Sequence, residues 1–114
     1  MKDCVFCGIA EGRVAAKAIW VDDHTIAFYD LNPQAPTHIL VIPKSHVASI
    51  AIADRSHTNL LGAILATAVE VAASEGLDQS GYRLIINHGK DGGQSVGHLH
   101  VHLLGGRKLS WPPG

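Results

Sequence analysis

Histidines and apolar residues alternate in the segment 98–103, which reads HLHVHL. Successive side chains of an extended strand point to opposite faces of a sheet, so the three imidazoles share one face and Leu99, Val101 and Leu103 share the other. We predict a strand over 98–104, with its apolar face packed on a helix and its histidine face turned toward a pocket. A neutral imidazole in such a pocket is a nucleophile near pH 7.

Two other interpretations of the three histidines stay open. They can be hydrogen-bonded or solvated strand residues without chemistry, or two imidazoles at positions i and i+2 can converge on one metal ion. A catalytic zinc held by all three is disfavoured, because His98 and His102 are about 13 Å apart along a straight strand with a rise of about 3.3 Å per residue.

Turn residues divide most of the remaining chain into short apolar segments with the composition of strands. The first two segments flank a turn at residues 22–24 and form a predicted hairpin, while the third is rich in β-branched residues and ends at Pro43. The connections are mostly short, which favours antiparallel pairing. With the histidine segment, we predict strands over residues 17–21, 25–29, 38–42, 82–87 and 98–104.

One segment, from about Asp54 to Glu75, has the period of a helix. Asp54 or Ser56 can cap its start, and Gly76 stands where a helix is expected to stop. Five strands and one long helix predict an α+β fold, and a chain of 114 residues has room for a single domain over residues 1–114. The apolar stripe of the helix is Leu61, Ile64, Leu65, Ala68, Val71 and Ala72.

Charge and hydropathy exclude several classes of partner. The formal net charge is −1, so no overall basic field attracts nucleic acid or an acidic membrane. No stretch approaches the roughly 20 apolar residues of a membrane span, and the start of the chain lacks the pattern of a signal peptide. We therefore expect a cytoplasmic protein without a nucleic-acid or membrane partner.

A glycine-rich loop, residues 89–97, leads directly into the histidine segment and reads GKDGGQSVG. Its glycines let backbone N–H groups approach an anion closely. Such a loop is by itself weak support for a phosphate site. Joined to three histidines on one face, it predicts phosphate donors and a nucleophile at one place.

These residues resemble the histidine triad (HIT) superfamily, whose motif of three histidines separated by apolar residues reads HLHVHLL here. The likeness extends over nearly the whole chain. It is similar to the histidine triad nucleotide-binding (HINT) branch rather than to the dinucleoside polyphosphate hydrolase or nucleotidyltransferase branches. The segments that carry this finer likeness are DLNPQAPTHILVIPKSH and DGGQSVGHLHVHLLGGRKLSWPPG.

The resemblance implies a hydrolase that cleaves the P–N bond of purine nucleoside 5'-phosphoramidates. In the family the middle histidine attacks the α-phosphorus, and water then releases the nucleoside monophosphate; this role falls on His100. His102 and His38 extend an imidazole network, and Ser95 and Asn87 match residues at the phosphate and leaving group. The implied catalytic set is His38, Ser95, His100 and His102.

The resemblance also implies a site for a purine nucleoside monophosphate and its conjugates. Apolar side chains hold the base, a carboxylate binds the ribose, and loop N–H groups meet the phosphate. The apolar members are otherwise simply core, and Asp30 is otherwise a turn or cap residue. The implied set is Val5, Phe6, Ile9, Phe28, Asp30, Leu31, Asn87, Gly93, Gln94, Ser95, His100, His102 and Trp111.

The two cysteines, Cys4 and Cys7, have the spacing that supplies half of a tetrahedral zinc site. A metal-free reduced pair and a redox pair are the alternatives. The resemblance implies His46 and His98 as the other two ligands, and a four-coordinate zinc would be structural, with no cofactor required for catalysis.

The family also implies a homodimer with a ten-stranded sheet, in which Trp111 reaches toward the partner's active site. His24, His57 and His88 match nothing in the family pattern and are expected at the surface. Three other functions stay open: a nucleotide-binding adaptor with incidental hydrolysis, a dinucleoside polyphosphate hydrolase, and a structural zinc protein without a ligand.

Overall fold

The fold is an antiparallel five-stranded sheet with a long helix on one face and a short helix on the other. It is seen in a computed structural model that describes residues 3–114. The strand order is β1-β2-β3-β5-β4, so β1 and β4 are the edges. The elements are α1 Val5–Ala10, β1 Ala18–Val21, β2 Thr25–Tyr29, β3 Thr37–Pro43, a 3₁₀ turn Arg55–His57, α2 Thr58–Ser74, β4 Tyr82–Ile86 and β5 Val101–Gly105.

The predicted α+β class, with five antiparallel strands, one long helix and one short helix, is confirmed. Within residues 3–114 no helix is long and apolar enough to cross a membrane. The central strands β2, β3 and β5 are buried because sheet neighbours flank them on both edges and helices cover them. Period-2 alternation divides their side chains between two clusters, one on each face.

The first cluster lies between the sheet and α2. It includes Ile39 and Val41 of β3 and Val101 and Leu103 of β5, with Leu99 just before that strand. The helix contributes Ile64, Ala68, Val71 and Ala72 to the same cluster. The prediction that the apolar side of the histidine segment packs on the long helix is therefore confirmed.

The second cluster lies on the opposite face, where α1 covers only part of the sheet. Phe28 and Leu40 are cross-strand neighbours there, and Phe6 of α1 packs against Phe28 with ring centroids 5.6 Å apart. Leu40 in turn pairs with His102 of β5, so the histidine side of that strand belongs to this face. A short helix over a five-stranded sheet leaves room for a cavity beside it.

The predicted strand over 98–104 starts too early. The ladder with β3 and β4 begins at Val101, and residues 98–100 have no strand partner. The Leu99 N–H bonds instead to the Val47 oxygen at 2.6 Å, in the segment after β3. The side chains still alternate, because Leu99 stays in the α2 cluster while His98 and His100 face α1.

The long helix also differs from its prediction at the start and in one core position. Asp54 caps the 3₁₀ turn, with its carboxylate accepting from the Ser56 N–H, and α2 begins only at Thr58. Leu65 is 41% exposed, so its place in the inward stripe was wrong. Thr67 is buried instead, because its hydroxyl finds a partner in the Thr25 hydroxyl at 3.0 Å.

A pair of isoleucine truncations tests the α2 packing. Ile64 is 1% exposed and Ile52 is 64% exposed, so only the first truncation leaves a cavity in the core. We expect Ile64→Ala to lower the free energy of unfolding by about 2–5 kcal/mol and Ile52→Ala by less than about 0.5 kcal/mol. Urea denaturation followed by circular dichroism measures both, and equal losses would contradict this assignment of the core.

Candidate active site and metal site

A cavity of about 300 Å³ lies between α1 and the sheet face that carries the histidines. Its wall is mostly apolar, and its polar members are Tyr29, Asp30, Ser95, His100 and His102. The lining residues are Val5, Phe6, Ile9, Val14, Ala15, Ala16, Phe28, Tyr29, Asp30, Leu31, Leu40, Ser95, Val96, His100 and His102. An apolar wall with few convergent polar groups is typical of a site for a small organic ligand.

His100 is buried at the inner wall of this cavity, and its tautomer is fixed by the main chain. Its Nδ1 lies 2.7 Å from the main-chain oxygen of His98. A carbonyl oxygen only accepts, so Nδ1 carries the proton and Nε2 of the neutral ring carries the lone pair. Within the part of the chain that is described, Nε2 has no hydrogen-bond partner, which leaves it available as a nucleophile.

The tautomers of His38 and His102 follow from one backbone donor. The Gln34 N–H donates to His38 Nδ1 at 3.0 Å, so the proton of neutral His38 is on Nε2. That nitrogen lies 2.9 Å from His102 Nδ1 and donates to it. The proton of neutral His102 is therefore on Nε2, and His102 lines the cavity as a hydrogen-bond donor.

Burial keeps both rings of this pair neutral near pH 7. Burial lowers the pKa of His102 to about 4, with the neighbouring His100 and His38 contributing in the same direction. Burial also lowers the pKa of His38, although the carboxylate of Asp30, 3.4 Å from its Nε2, opposes the shift. If His102 were protonated, its Nδ1 would have no lone pair to accept the hydrogen bond from His38 Nε2. The hydrogen bonds from Gln34 through His38 to His102 therefore require a neutral His102.

Asp30 lines the cavity, and its carboxylate makes two contacts with other residues of the chain. Its Oδ1 accepts from the Asn32 N–H at 2.8 Å, which is the turn role considered as an alternative, while Oδ2 faces His38. Each carboxylate oxygen has further lone pairs, so the turn bond leaves the group able to accept from a ligand hydroxyl.

The glycine-rich loop is held in shape by the side chains of Asn87 and Gln94. Asn87 Nδ2 donates to the Gly92 oxygen at 2.6 Å, and a Cβ at Gly92 would overlap the main-chain oxygen of His88. Gln94 accepts from the Gly89 N–H at 3.1 Å and donates to the Ala48 oxygen at 2.9 Å. These bonds give Asn87 and Gln94 a positioning role in the loop.

A second cluster lies beside the cavity and contains both cysteines. The Cys4 sulfur is 3.3 Å from Nδ1 of His98, and the Cys7 sulfur is 3.3 Å from Nδ1 of His46 and 3.6 Å from that of His98. The four donor atoms all lie within 4.8 Å of one another. The four residues predicted as metal ligands are thus brought together at one point.

The donor set fits a tetrahedral zinc ion. In a tetrahedral site with Zn–S and Zn–N bonds of about 2.3 and 2.05 Å, a sulfur and a nitrogen ligand lie about 3.6 Å apart. The observed sulfur-to-nitrogen distances are close to this value. His98 Nε2 lies 2.9 Å from the Pro43 oxygen, so its proton is there and Nδ1 offers its lone pair to a metal. Burial raises the pKa of the Cys7 thiol, and Cys4 adds to the rise, so zinc must displace a proton there.

The predicted nucleotide-binding residues fall into two groups in this structure. Asn87, Gly93, Gln94 and Trp111 do not line the cavity of the single chain, and Trp111 is exposed. Their role with a ligand stays a prediction. The remaining members line the cavity: Val5, Phe6, Ile9, Phe28, Asp30, Leu31, Ser95, His100 and His102.

Three histidines expected at the surface have no part in either cluster. His24 and His88 are exposed, and His57 is partly buried because its Nδ1 accepts from the Asp54 N–H to complete a capping box.

Sequence reasoning missed two contributors to the site. Gln34 selects the His38 tautomer through its backbone, and Pro43 does the same for His98, so neither role leaves a signal in side-chain chemistry.

Fold and site together define a small α+β protein with a histidine-lined cavity on the less covered face of its sheet. The chain belongs to the HIT family, because the family model described as the HIT domain matches residues 11–109. An uncharacterized HIT-like protein of Synechococcus elongatus is 50% identical over 99% of this chain and 98% of its own length. A "14 kDa zinc-binding protein" of Zea mays is 47% identical over 96% and 87%.

Solved structures give the same family. A HIT family hydrolase from Legionella pneumophila is 48% identical with a TM-score of 0.96, covering 98% of this chain and all of that one (100%). A histidine triad nucleotide-binding protein from Candida albicans is 29% identical with a TM-score of 0.83, over 96% and 83%. A zinc-bound histidine triad family protein from Mycobacterium smegmatis is 32% identical with a TM-score of 0.79, over 96% and 81%.

Neutral His102 links stability to pH. An unfolded histidine takes up its proton near pH 6.5, whereas the folded ring does so near 4. The stabilisation from the neutral ring is therefore present above about pH 6.5 and declines as the pH falls toward about 4, by up to about 1.4 kcal/mol per pH unit. Removing the ring in His102→Gln should flatten that decline.

Urea denaturation of zinc-loaded wild type and His102→Gln at pH values between 7.5 and 5 measures this effect. Both proteins are measured with the same added zinc, so the difference between their curves isolates His102. His102→Asn, a second neutral replacement, should behave as His102→Gln does. Parallel curves for wild type and both variants would show that His102 titrates alike in the folded and unfolded chains.

Proposed function

We propose that this protein is a nucleotide-binding hydrolase that cleaves the P–N bond of purine nucleoside 5'-phosphoramidates, as the likeness to the HINT branch implies. The observation that carries the proposal is the state of His100. Its Nδ1 proton is held by the His98 oxygen at 2.7 Å, and its Nε2 lone pair lies at an apolar cavity. A neutral nitrogen nucleophile beside a ligand-sized cavity is what attack on phosphorus requires.

The reaction has two displacements at the α-phosphorus. His100 Nε2 forms a bond to phosphorus as the bond to the substrate's amine nitrogen breaks. The electron pair of the broken bond stays on that nitrogen, which takes up a proton that comes from solvent water. The positive charge on the nucleotidyl-imidazole is stabilised by the Nδ1–H bond to the His98 carbonyl. Water then attacks phosphorus and gives up a proton to the solvent. The bond from phosphorus to Nε2 breaks with its electron pair returning to the ring, which releases the nucleoside monophosphate and restores neutral His100.

Three groups at the cavity support these steps. His102 directs its Nε2 proton toward a phosphoryl oxygen, and the His38 bond at 2.9 Å fixes that direction. Ser95 lines the cavity with His100, and we propose that its hydroxyl passes a proton to the departing nitrogen. Loop N–H groups near Gly93 and Ser95 meet the charge that develops on the phosphoryl oxygens.

The rest of the cavity suits a nucleoside. Phe6, Phe28 and Ile9 supply apolar and aromatic surface for a base, and Asp30 supplies a carboxylate for two ribose hydroxyls. Surface of this kind holds a base by area rather than through its hydrogen-bonding edges, so we propose broad acceptance of purines.

We further propose a structural Cys2His2 zinc held by Cys4, Cys7, His46 and His98. The donor distances fit the ion, and relatives named as zinc-binding or solved with zinc support it. The ion would join α1 to His46 in the segment after β3 and to His98, two residues before His100. Zinc needs both thiols reduced, which agrees with the expected cytoplasmic location.

The test of the catalytic proposal compares wild type with His100→Ala on an adenosine 5'-phosphoramidate of tryptamine, whose fluorescence rises on release. We expect turnover by wild type and a loss on the order of a thousandfold or more in His100→Ala, the scale for removing a covalent nucleophile. His24→Ala, at an exposed histidine on the β1–β2 turn, is the matched control and should retain activity.

Calorimetry with adenosine 5'-monophosphate completes the comparison, since His100→Ala should remain folded and able to bind. Turnover that survives His100→Ala would overturn the assignment of the nucleophile. A folded wild type that binds the monophosphate but hydrolyses no phosphoramidate would instead favour the adaptor function.

We also propose a homodimer in which β4, an edge strand, continues the sheet into a second copy. Leu65 and Val69 on the outer side of α2 are 41% and 51% exposed, and Ile86 at the end of β4 is 36% exposed. Such apolar side chains at a sheet edge and on a helix surface suit burial in an interface.

Replacement of an apolar residue by a charged one on each side of the molecule tests this dimer. Val69→Glu should shift the mass measured by light scattering from two chains to one, because a carboxylate would be buried without a partner. Val21→Glu, at a 60% exposed valine on the opposite edge strand β1, is the matched control and should leave the mass unchanged. A wild-type monomer at micromolar concentration would refute the proposal.

A further inference from the structure

The short helix α1 takes part in both the cysteine cluster and the cavity. Cys4, its cap, and Cys7 turn their sulfurs toward His46 and His98. The residues between and after them, Val5, Phe6 and Ile9, line the cavity. One six-residue helix therefore carries two candidate metal ligands and one wall of the candidate nucleoside site.

Few polar contacts hold α1 to the rest of the domain. Its backbone bonds are local, such as Gly8 N–H to the Cys4 oxygen and Glu11 N–H to the Cys7 oxygen. Within residues 3–114 the hydrogen bonds that join Cys4–Ala10 to distant parts of the chain are those of the two sulfurs with His46 and His98. A helix of this length is not stable alone, so apolar packing and the cysteine cluster determine its position.

His98 makes a second connection between the cluster and the cavity. Its Nδ1 faces the two sulfurs, its Nε2 donates to the Pro43 oxygen, and its main-chain oxygen accepts from His100 Nδ1. The residue is fully buried. The Phe6 ring packs edge-on against both imidazoles, with centroid distances of 5.9 Å to His98 and 5.3 Å to His100. A shift of His98 would therefore move the nucleophile and the wall together.

We propose that metal occupancy of Cys4, Cys7, His46 and His98 controls the affinity of the cavity for a nucleoside monophosphate. The inference rests on the proposed function, and it makes the metal centre a control point for ligand binding in addition to a structural element. Bound metal holds α1 and His98 in place, so the cavity has its binding shape before the ligand arrives. Without metal, part of the free energy of ligand binding is used to order α1, and the affinity falls.

Thermodynamic linkage makes the proposal quantitative. If metal tightens the binding of the monophosphate by a given factor, the monophosphate must tighten the binding of metal by the same factor. We expect a factor of about ten, within the usual range of coupling between sites. Two independent titrations therefore have to agree.

The first titration is calorimetry of adenosine 5'-monophosphate into the 114-residue chain, zinc-loaded and then stripped with a chelator. The second is competition for zinc with a chromophoric chelator, with and without the monophosphate. We expect the dissociation constant for the monophosphate to rise about tenfold on stripping and that for zinc to fall about tenfold with the monophosphate. Equal affinities in the presence and absence of the partner ligand would overturn the inference.

The variant His46→Gln separates coupling from loss of the fold. His46 lies outside the cavity lining, so its replacement weakens metal binding without altering the wall. His24→Gln, at an exposed histidine, is the matched control and should bind both ligands as wild type does. If His46→Gln is folded, has lost zinc and binds the monophosphate as tightly as the loaded wild type, the inference is wrong.

Hydrogen exchange of the α1 amides gives a readout that needs no catalysis. Zinc should slow exchange across residues 5–10, and the monophosphate should slow it further. Failure of the zinc-loaded protein to bind any monophosphate would count against the proposed function itself. Binding that is insensitive to zinc would count against this inference alone.

Discussion

The hydrogen bond from His100 Nδ1 to the His98 carbonyl is the constraint on which the rest of the site depends. At 2.7 Å it fixes the proton on one nitrogen and leaves the other for chemistry. It can form because residues 98–100 precede the paired part of β5, so the His98 oxygen is not used in sheet pairing. The bend that interrupts the strand therefore fixes the tautomer of His100 and directs its Nε2 lone pair to the role proposed for it.

The other imidazoles obey the same rule, in which a backbone group selects the tautomer. The Gln34 N–H fixes the tautomer of His38, and the hydrogen bond from His38 then fixes the tautomer of His102. The Pro43 oxygen fixes the tautomer of His98. Backbone positions are set by the sheet and its loops, so protonation states in the site are properties of the fold. Burial acts in the same direction, because it penalises the charged form of each of these rings.

The sequence predicts those features that a repeating pattern encodes. Alternation in 98–103 correctly assigns Leu99, Val101 and Leu103 to the α2 side, because side-chain direction follows the backbone even where pairing stops. The start of β5 depends on the Val47 oxygen, a contact from a distant segment that no local pattern contains. The ligand set Cys4, Cys7, His46 and His98 came from family resemblance, since its spacing alone names only two members.

The uneven covering of the sheet explains why both sites lie where they do. The long helix α2 covers the centre of one face, so the side chains directed there serve packing, as Val101 and Leu103 do. The opposite face has only the six-residue α1, which leaves a cavity that the histidine side of β5 can line. A helix of six residues needs an additional tether, and the cluster at Cys4 and Cys7 supplies one close to His100. The arrangement that opens space for a ligand therefore also makes the shape of that space depend on the contacts of Cys4 and Cys7 with His46 and His98.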